Sequence, residues 1–297
     1  MVDVSIIVVT YNTLRMTSEC IESIFAHTYG VVFEVILVDN ASNDGSKQFF
    51  EEDTRIRYIY SKENLGFGRA NNLGYESAQG NYIFLLNSDT LLLNNAVKIF
   101  YDFMETSPSK IGCIGCELID GNDKPIGSYG DFPGIRNFLG RILLSYKLNI
   151  PLLLGKSKGA KIFPLVVDYV TGADLFIRRK VIDECGFFDP DFFMYFEETE
   201  MQFRYKKKGY ISQIINTPAI KHFHGASNKK EGGKRKSLTV ASIELESRFI
   251  YCSKTMAKWK QLIVSWMHLL LIPRILLYNS LMHEKSIMIR IILDKCL

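Results

Sequence analysis

Four short runs rich in valine and isoleucine, "DVSIIVVTYN", "FEVILVDNAS", "RIRYIYS" and "NYIFLLNSD", constrain the fold of this chain more than any other feature. Each has the length of a buried strand. Between them lie stretches with helical spacing, from about Leu14 to His27, Gly45 to Asp53, and Arg69 to Ala78. Apolar strands separated by short helices describe successive βαβ units, hence an α/β fold with a mostly parallel sheet covered on both faces. Ligands of such sheets bind beyond the carboxyl ends of the strands. All four ends are polar here: Thr10-Tyr11-Asn12, Asp39-Asn40, Asn64, and Asn87-Ser88-Asp89. The last is the sharpest case, because "YIFLLNSDTLLL" sets an acid against the most apolar strand. Either that strand ends in an ordinary Asx turn, or it delivers Asp89 to a ligand. Four polar ends on one edge favour the ligand.

At 297 residues the chain holds one large α/β domain or two modest ones. A net charge of +4 is too small to argue for nucleic acid, and no such partner is expected. "MVDVSIIVVTYN" has no basic segment leading to a small-residue cleavage site, so it reads as a first strand, not a signal peptide. Six scattered cysteines indicate a reducing compartment. Cys113 and Cys116 form a CxxC in "KIGCIGCELID". A zinc knuckle needs a second such pair, so these two read as buried strand residues.

Two segments imitate cofactor motifs. "GFGRAN", Gly66 to Asn71, lacks the third glycine of the dinucleotide fingerprint and follows the third strand instead of the first. "NASNDGSKQFFE", Asn40 to Glu51, has the glycine and glutamate of a calcium loop but begins with Asn and follows a strand. Both are turn chemistry. From Ile126 to Phe163 the pattern becomes Gly/Pro-punctuated, read as an acceptor-side insertion or as a flap over the core. The expected organisation is a main domain over 1–227, a basic flexible loop over 228–237, and a helical segment over 238–297. Within the last, the longest apolar run, Leu262 to Pro273, is shorter than the ~20 residues that span a bilayer. Tryptophans beside Lys and Arg suit a helix lying in a membrane interface. The alternative is packing on the parent domain or on a homodimer partner.

In this order, "SIIVVTYN", "VILVDNASNDGS", "NLGFGRANNLG", "FLLNSDT", "VTGADLFIRR", "MYFEETEMQFR" and "HFHG" resemble the inverting glycosyltransferases of family 2. Within that family the chain looks most like the rhamnosyltransferase-type enzymes of bacterial surface polysaccharides. The resemblance covers roughly residues 3 to 252. It implies the GT-A fold, a mostly parallel sheet flanked by helices, here followed by a membrane-associating helical tail. It also implies a nucleotide-diphosphate sugar as donor, dTDP-rhamnose or a UDP-hexose, and Mg²⁺ or Mn²⁺ as cofactor. The acceptor would be a lipid-linked oligosaccharide at the cytoplasmic face of the bacterial inner membrane.

Residue by residue, the resemblance puts Thr10, Tyr11 and Asn12 in the base slot, where an aromatic face beside polar groups suits stacking. Asp39 would accept from the base or ribose; it also suits an Asx turn, and the two readings are compatible. Asn64, Arg69 and Asn71 would wall the nucleotide pocket, with the nearby glycines admitting a close approach. Asn87-Ser88-Asp89 stands where the family has its metal-binding DXD, so Asp89 would ligate the cation and Asn87 would offer only a neutral group. His222, with His224 in reserve, would complete the metal shell. In "FEETEMQFR" Glu198 takes the place of the general base, where the family more often has Asp. Glu197 adjoins it, and Glu200 and Arg204 pair at i,i+4. In "VTGAD", Gly172 would give the sugar room. Asp174 would touch a hydroxyl or be a buried, hydrogen-bonded acid. Lys234, Arg235 or Lys236 would close on the diphosphate about Gly232 and Gly233, and Arg248 would assist. A catalytically silent scaffold is the rival reading, kept open by Asn87 and Glu198. A nucleotidyltransferase is not, because "TYNTLRMT" has no glycine for a phosphate loop.

Overall fold

The computed structural model describes residues 1–145, 162–223, 238–276 and 282–296. The first half alternates β1 (Val4–Thr10), α1 (Leu14–His27), β2 (Phe33–Asn40), α2 (Ser46–Phe50), β3 (Arg57–Ser61), α3 (Phe67–Tyr75) and β4 (Tyr82–Asn87). Two helices differ from their sequence bounds. Helix α2 is shorter than Gly45 to Asp53, and α3 begins two residues earlier because Gly66, at φ 79°, turns the chain straight into it. Next come β5 (Thr90–Leu92), α4 (Ala96–Thr106), β6 (Ile111–Cys116), β7 (Tyr129–Gly130) and α5 (Ile135–Ser145). After residues outside the description follow β8 (Leu165–Val167), β9 (Tyr169–Val170), β10 (Asp174–Arg178), α6 (Arg179–Cys185), α7 (Glu197–Lys207), β11 (Ile211–Ile215) and β12 (Ile220–His222). Four helices close the chain: α8 (Leu238–Thr255), α9 (Lys258–Leu269), α10 (Ile272–Leu276) and α11 (Met282–Cys296).

The central sheet has the order β3-β2-β1-β4-β10-β6-β11-β8. Strands β3, β2, β1 and β4 are parallel, as are β6 and β11, whereas β10 and β8 run against their neighbours. The chain therefore builds outward from β1 in one direction, then returns to place β4 on its other side. Val9 lies beside Asn87 at this reversal, the point where an open α/β sheet offers a crevice. This is the mostly parallel, helix-flanked sheet of a GT-A fold.

Alternating residues of the central strands feed two different cores. Val4, Ile6 and Val8 pack with Phe84, Leu86, Phe100 and Phe176 on one face. Ile7, Ile36, Val38, Ile83 and Leu85 pack on the other with Ala70, Met201 and Tyr205. Burial on both faces explains why these strands read as unbroken apolar runs. Cys113 and Cys116 are free, fully buried thiols of β6, in line with their reading as core residues.

The C-terminal helices pack on this body. Tyr251 of α8 meets Phe196 with ring centroids 5.5 Å apart. His268 of α9 lies 4.9 Å from the Phe249 ring and 6.3 Å from that of Phe138 in α5. Burial lowers the His268 pKa to about 4, so the ring is neutral, accepting from Arg248 on Nε2 while its Nδ1–H donates to the Val264 carbonyl at 2.6 Å. Among the described residues no helix is long and apolar enough to cross a membrane.

Candidate active site

Strand β4 delivers Asn87 to the sheet edge, and the chain turns through Ser88 and Asp89 into β5. The Thr90 hydroxyl donates to the Asn87 carbonyl at 2.7 Å and fixes that turn. Strand β5 then pairs antiparallel with β12, with Thr90 opposite His222. The Phe223 amide donates to the Asp89 carbonyl at 2.9 Å, extending the ladder. This three-residue ribbon joins residues from distant parts of the chain. Asp89 Oδ1 lies 3.1 Å from His222 Nε2, with side chains 12% and 6% exposed, and Asn87 Nδ2 lies 3.4 Å from the same nitrogen.

Asp89 and His222 line one cavity of about 500 Å³. Among the described residues no cluster of three or more His, Cys, Asp and Glu could hold a metal by itself. A carboxylate and an imidazole on one wall of a cavity nevertheless fit a divalent cation that draws its other ligands from substrate phosphates. The nitrogen ligand suits Mn²⁺ better than Mg²⁺, which demands a near-ideal octahedron of oxygens.

The acids that line the same cavity are placed differently. Tyr195 at φ 73° and Phe196 at φ 67° stand side by side in the left-handed region immediately before α7. Two such non-glycine residues in succession store backbone strain, on the order of 1–3 kcal/mol each. They turn Glu197 and Glu198, the first residues of α7, into the cavity. Burial raises the Glu198 pKa to about 6. Glu197 is only 3% exposed, and burial, with the neighbouring Glu198 charge, pushes its carboxyl well above the usual range. Within the described residues neither Glu197 Oε2 nor Glu198 Oε2 has a hydrogen-bond partner. Glu200 has one: both its oxygens accept from Arg204 Nε at 2.9 Å. Arg204 also donates to the carbonyls of Cys185, Gly186 and Phe187, pinning the loop before the acid-bearing turn.

Tyr11, 42% exposed, Ser88 and Gly172 also line the cavity. Several other expected contacts are not among the residues that line it. Thr10 is fully buried, its hydroxyl bonded to Thr13 and Thr17. Asn12 accepts from the Asn43 amide, and its own amide donates to Ser42. Both oxygens of Asp39 are engaged, by the Ser42 amide at 2.8 Å and the Tyr58 hydroxyl at 2.6 Å, which is the Asx-turn role. Asn64 accepts from Asn40 and the Gly66 amide, while Arg69 and Asn71 donate to carbonyls of Leu65 and Phe67, so all three shape the loop. Asp174 is fully buried; it accepts from the Cys116 amide at 2.6 Å, and burial raises its pKa to about 7. It is the hydrogen-bonded acid, not a cavity contact. Arg248 is placed in the helical tail, against His268 and Glu244. Residues 224–237, with His224, Lys234, Arg235 and Lys236, lie outside the described residues, as does 146–161 of the expected insertion.

The glycines of "GFG" do admit a close approach. A Cβ on Gly66 would sit 1.9 Å from the Phe193 carbonyl oxygen, and one on Gly68 would sit 3.1 Å from Phe188 Cβ. The close approach is made by the loop leading to Glu197. Likewise the space beside Gly172 is filled by the Phe67 ring, 2.7 Å from where a Cβ would stand. Phe67, Thr13, Met194 and Tyr195 line the cavity and were not foreseen; only the aromatic run before Glu197 hinted at the last two. A second cleft, about 670 Å³, opens at the opposite edge of the sheet. Its Arg178 and Arg179 are tied to backbone carbonyls, and it holds no acid–histidine pair.

Comparison with known proteins agrees with this geometry. Residues 5–186 match the model of glycosyl transferase family 2. Glycosyltransferase GlyG of Streptococcus pneumoniae is 31% identical over 112 residues, 36% of this chain and 37% of its own. The low-salt glycan biosynthesis hexosyltransferase Agl10 of Haloferax volcanii is 27% identical over 213 residues, 69% of this chain and 62% of its own. The chain thus spans less than two thirds of either relative. Among solved structures, the mannosyltransferase PcManGT of Pyrobaculum calidifontis, in complex with GDP-Man and Mn²⁺, superposes with a TM-score of 0.57 at 13% identity, covering 98% of this chain and 86% of that one. TarS of S. aureus gives 0.56 at 13% identity, covering 99% and 48%. At that identity the likeness concerns the fold.

Proposed function

This chain belongs to glycosyl transferase family 2, and we propose that it transfers a hexosyl group, with inversion, from a nucleotide-diphosphate sugar to a lipid-linked oligosaccharide. The donor is dTDP-rhamnose or a UDP-hexose, and the product is a bacterial surface polysaccharide built at the cytoplasmic face of the inner membrane, which the protein meets through its C-terminal helices. One observation carries the reading. A single cavity is lined by both the Asp89–His222 pair and the Glu197–Glu198 pair.

Inverting transfer is a single displacement, so the acceptor hydroxyl attacks the anomeric carbon from the side opposite the leaving diphosphate. Glu198 takes the hydroxyl proton as the bond forms; a pKa near 6 leaves it ionised and still basic at neutral pH. Tyr11 stacks on the base, and Ser88 and Asn87 meet the ribose or diphosphate. Asp89 and His222 hold Mn²⁺ or Mg²⁺, which when bound offsets charge growing on the leaving phosphate. The mannosyltransferase neighbour of like fold is in complex with GDP-Man and Mn²⁺, which supports a nucleotide sugar and a divalent metal as ligands.

Calorimetric titration with UDP-, dTDP- and GDP-sugars, with and without Mn²⁺, tests the reading. Binding of one nucleotide that requires metal, and is lost in Asp89→Ala, is the expected result. Folded protein that binds none of them overturns the donor site. Nucleotide binding without turnover on any lipid-linked acceptor would instead support the silent scaffold.

A further inference from the structure

Helix α9 has a buried face and an exposed apolar one. Val264, Ser265 and His268 are buried against the body of the protein. Trp259, Leu262, Ile263, Trp266 and Leu270 are 59%, 59%, 40%, 60% and 52% exposed. At 3.6 residues per turn these five fall in a sector about 100° wide, opposite the buried face. A surface helix ordinarily gives that sector to charged residues. Here it holds both tryptophans of the chain.

The charge around the face identifies what covers it. Lys258 and Lys260 are exposed at the start of the helix, and the Lys260 ammonium lies 5.3 Å from the Trp259 ring centroid. From Lys258 to His283 the sequence contains no Asp or Glu, while Lys258, Lys260 and Arg274 supply positive charge. A broad apolar stripe with tryptophans, lysines at its end and no carboxylate nearby is complementary to an anionic lipid surface. The face of a second copy of this chain would carry the same uncompensated cations.

We propose that α9 lies in the headgroup region of an anionic bilayer, with Trp259, Leu262, Ile263, Trp266 and Leu270 inserted and Lys258 and Lys260 on lipid phosphates. This deepens the membrane partner of the preceding reading, on which it rests for its purpose: to keep the enzyme where a lipid-anchored acceptor lies. Packed side chains connect the docked helix to the cavity. Phe138 of α5 and Tyr251 of α8 belong with Val264 to one buried cluster that includes Phe196, the residue before Glu197.

Because the two tryptophans of the chain share this face, its intrinsic fluorescence reports on docking directly. Full-length protein is mixed with phosphatidylcholine vesicles containing or lacking phosphatidylglycerol, and with brominated lipids. The expected result is flotation with the anionic vesicles, a blue shift and bromine quenching. Leu262→Ser/Trp266→Ser should lower partitioning at least tenfold. Lys258→Glu/Lys260→Glu, which disturbs no packed residue, should lower it about fivefold per charge on anionic vesicles only. No flotation, or equal flotation of both variants and the parent, overturns the proposal. Equal binding to neutral vesicles overturns its anionic part. A lipid-free dimer that Trp266→Ser dissociates makes a second copy the occupant and also overturns it. Nucleotide titration of the same samples separates the two readings: docking that fails while metal-dependent nucleotide binding persists leaves the transferase intact.

Discussion

The two walls of the cavity are held by different forces. On one, backbone ladders do the positioning: Asn87 ends a central strand, and the pairing of Thr90 with His222 puts the histidine on Asp89. On the other, Glu197 and Glu198 follow two left-handed residues held by packing, with Phe196 against Tyr251, and by single hydrogen bonds to the loop before them, from the Phe67 amide to the Phe193 carbonyl and from the Ser247 hydroxyl to the Met194 carbonyl. A ladder fixes register by hydrogen bonds and tolerates change in side chains. A strained turn persists only while its surroundings over-determine it. The residues around Asp89 and His222 should therefore be robust to the tail, and those around Glu197 and Glu198 should depend on it more.

Glu198→Gln gives the largest effect. It removes the proposed base while keeping the size of the side chain, so kcat should fall by about 10²–10⁴ with nucleotide affinity unchanged. Equal loss of nucleotide binding would mean that Glu198 holds donor. Tyr251→Ala breaks the packing that supports Phe196. A stability loss on the order of 3 kcal/mol is expected from denaturant melts. Turnover at a permissive temperature should fall while metal-dependent nucleotide binding persists. If both fall together, the walls are not independent. His222→Ala tests the converse. It should weaken Mn²⁺-dependent nucleotide binding roughly tenfold or more while the melting temperature moves little.

The same contrast explains what could be read in the sequence. The parallel strands and their polar ends were visible because strand periodicity and burial leave long apolar runs, as at Val4–Thr10 and Tyr82–Asn87. The ribbon that seats His222 was not, because β5 and β12 have three residues each, too short for any period. Resemblance alone pointed to that histidine. "GFG" announced a close approach but not by what, and only the fold shows the Phe193 carbonyl against Gly66. Asp39, Asn64, Arg69 and Asn71 have residue types suited equally to ligands and to turns, and in the fold their polar atoms are engaged by neighbouring backbone and side chains. Arg248 shows the limit most clearly. A charge on a helix has no partner until the helix is packed, and α8 turns this one toward His268.

Glu197 provides the finest test, because its effect has a definite sign. Its carboxyl is buried and its folded pKa is raised by burial and by Glu198. Above the unfolded value of about 4.3 the native state thus holds a proton that the unfolded chain releases, and stability falls as pH rises. Glu197→Gln removes that dependence. The variant should melt with the parent near pH 4, then gain on it as pH rises toward 8. Burial, not Glu197, is the leading cause of the raised Glu198 pKa. The acid limb of kcat/KM should therefore stay near pH 6 in the variant. A limb that moves down instead would show that the two carboxyls titrate as one unit, and that the wall bearing the base is tuned from beneath as well as held in place.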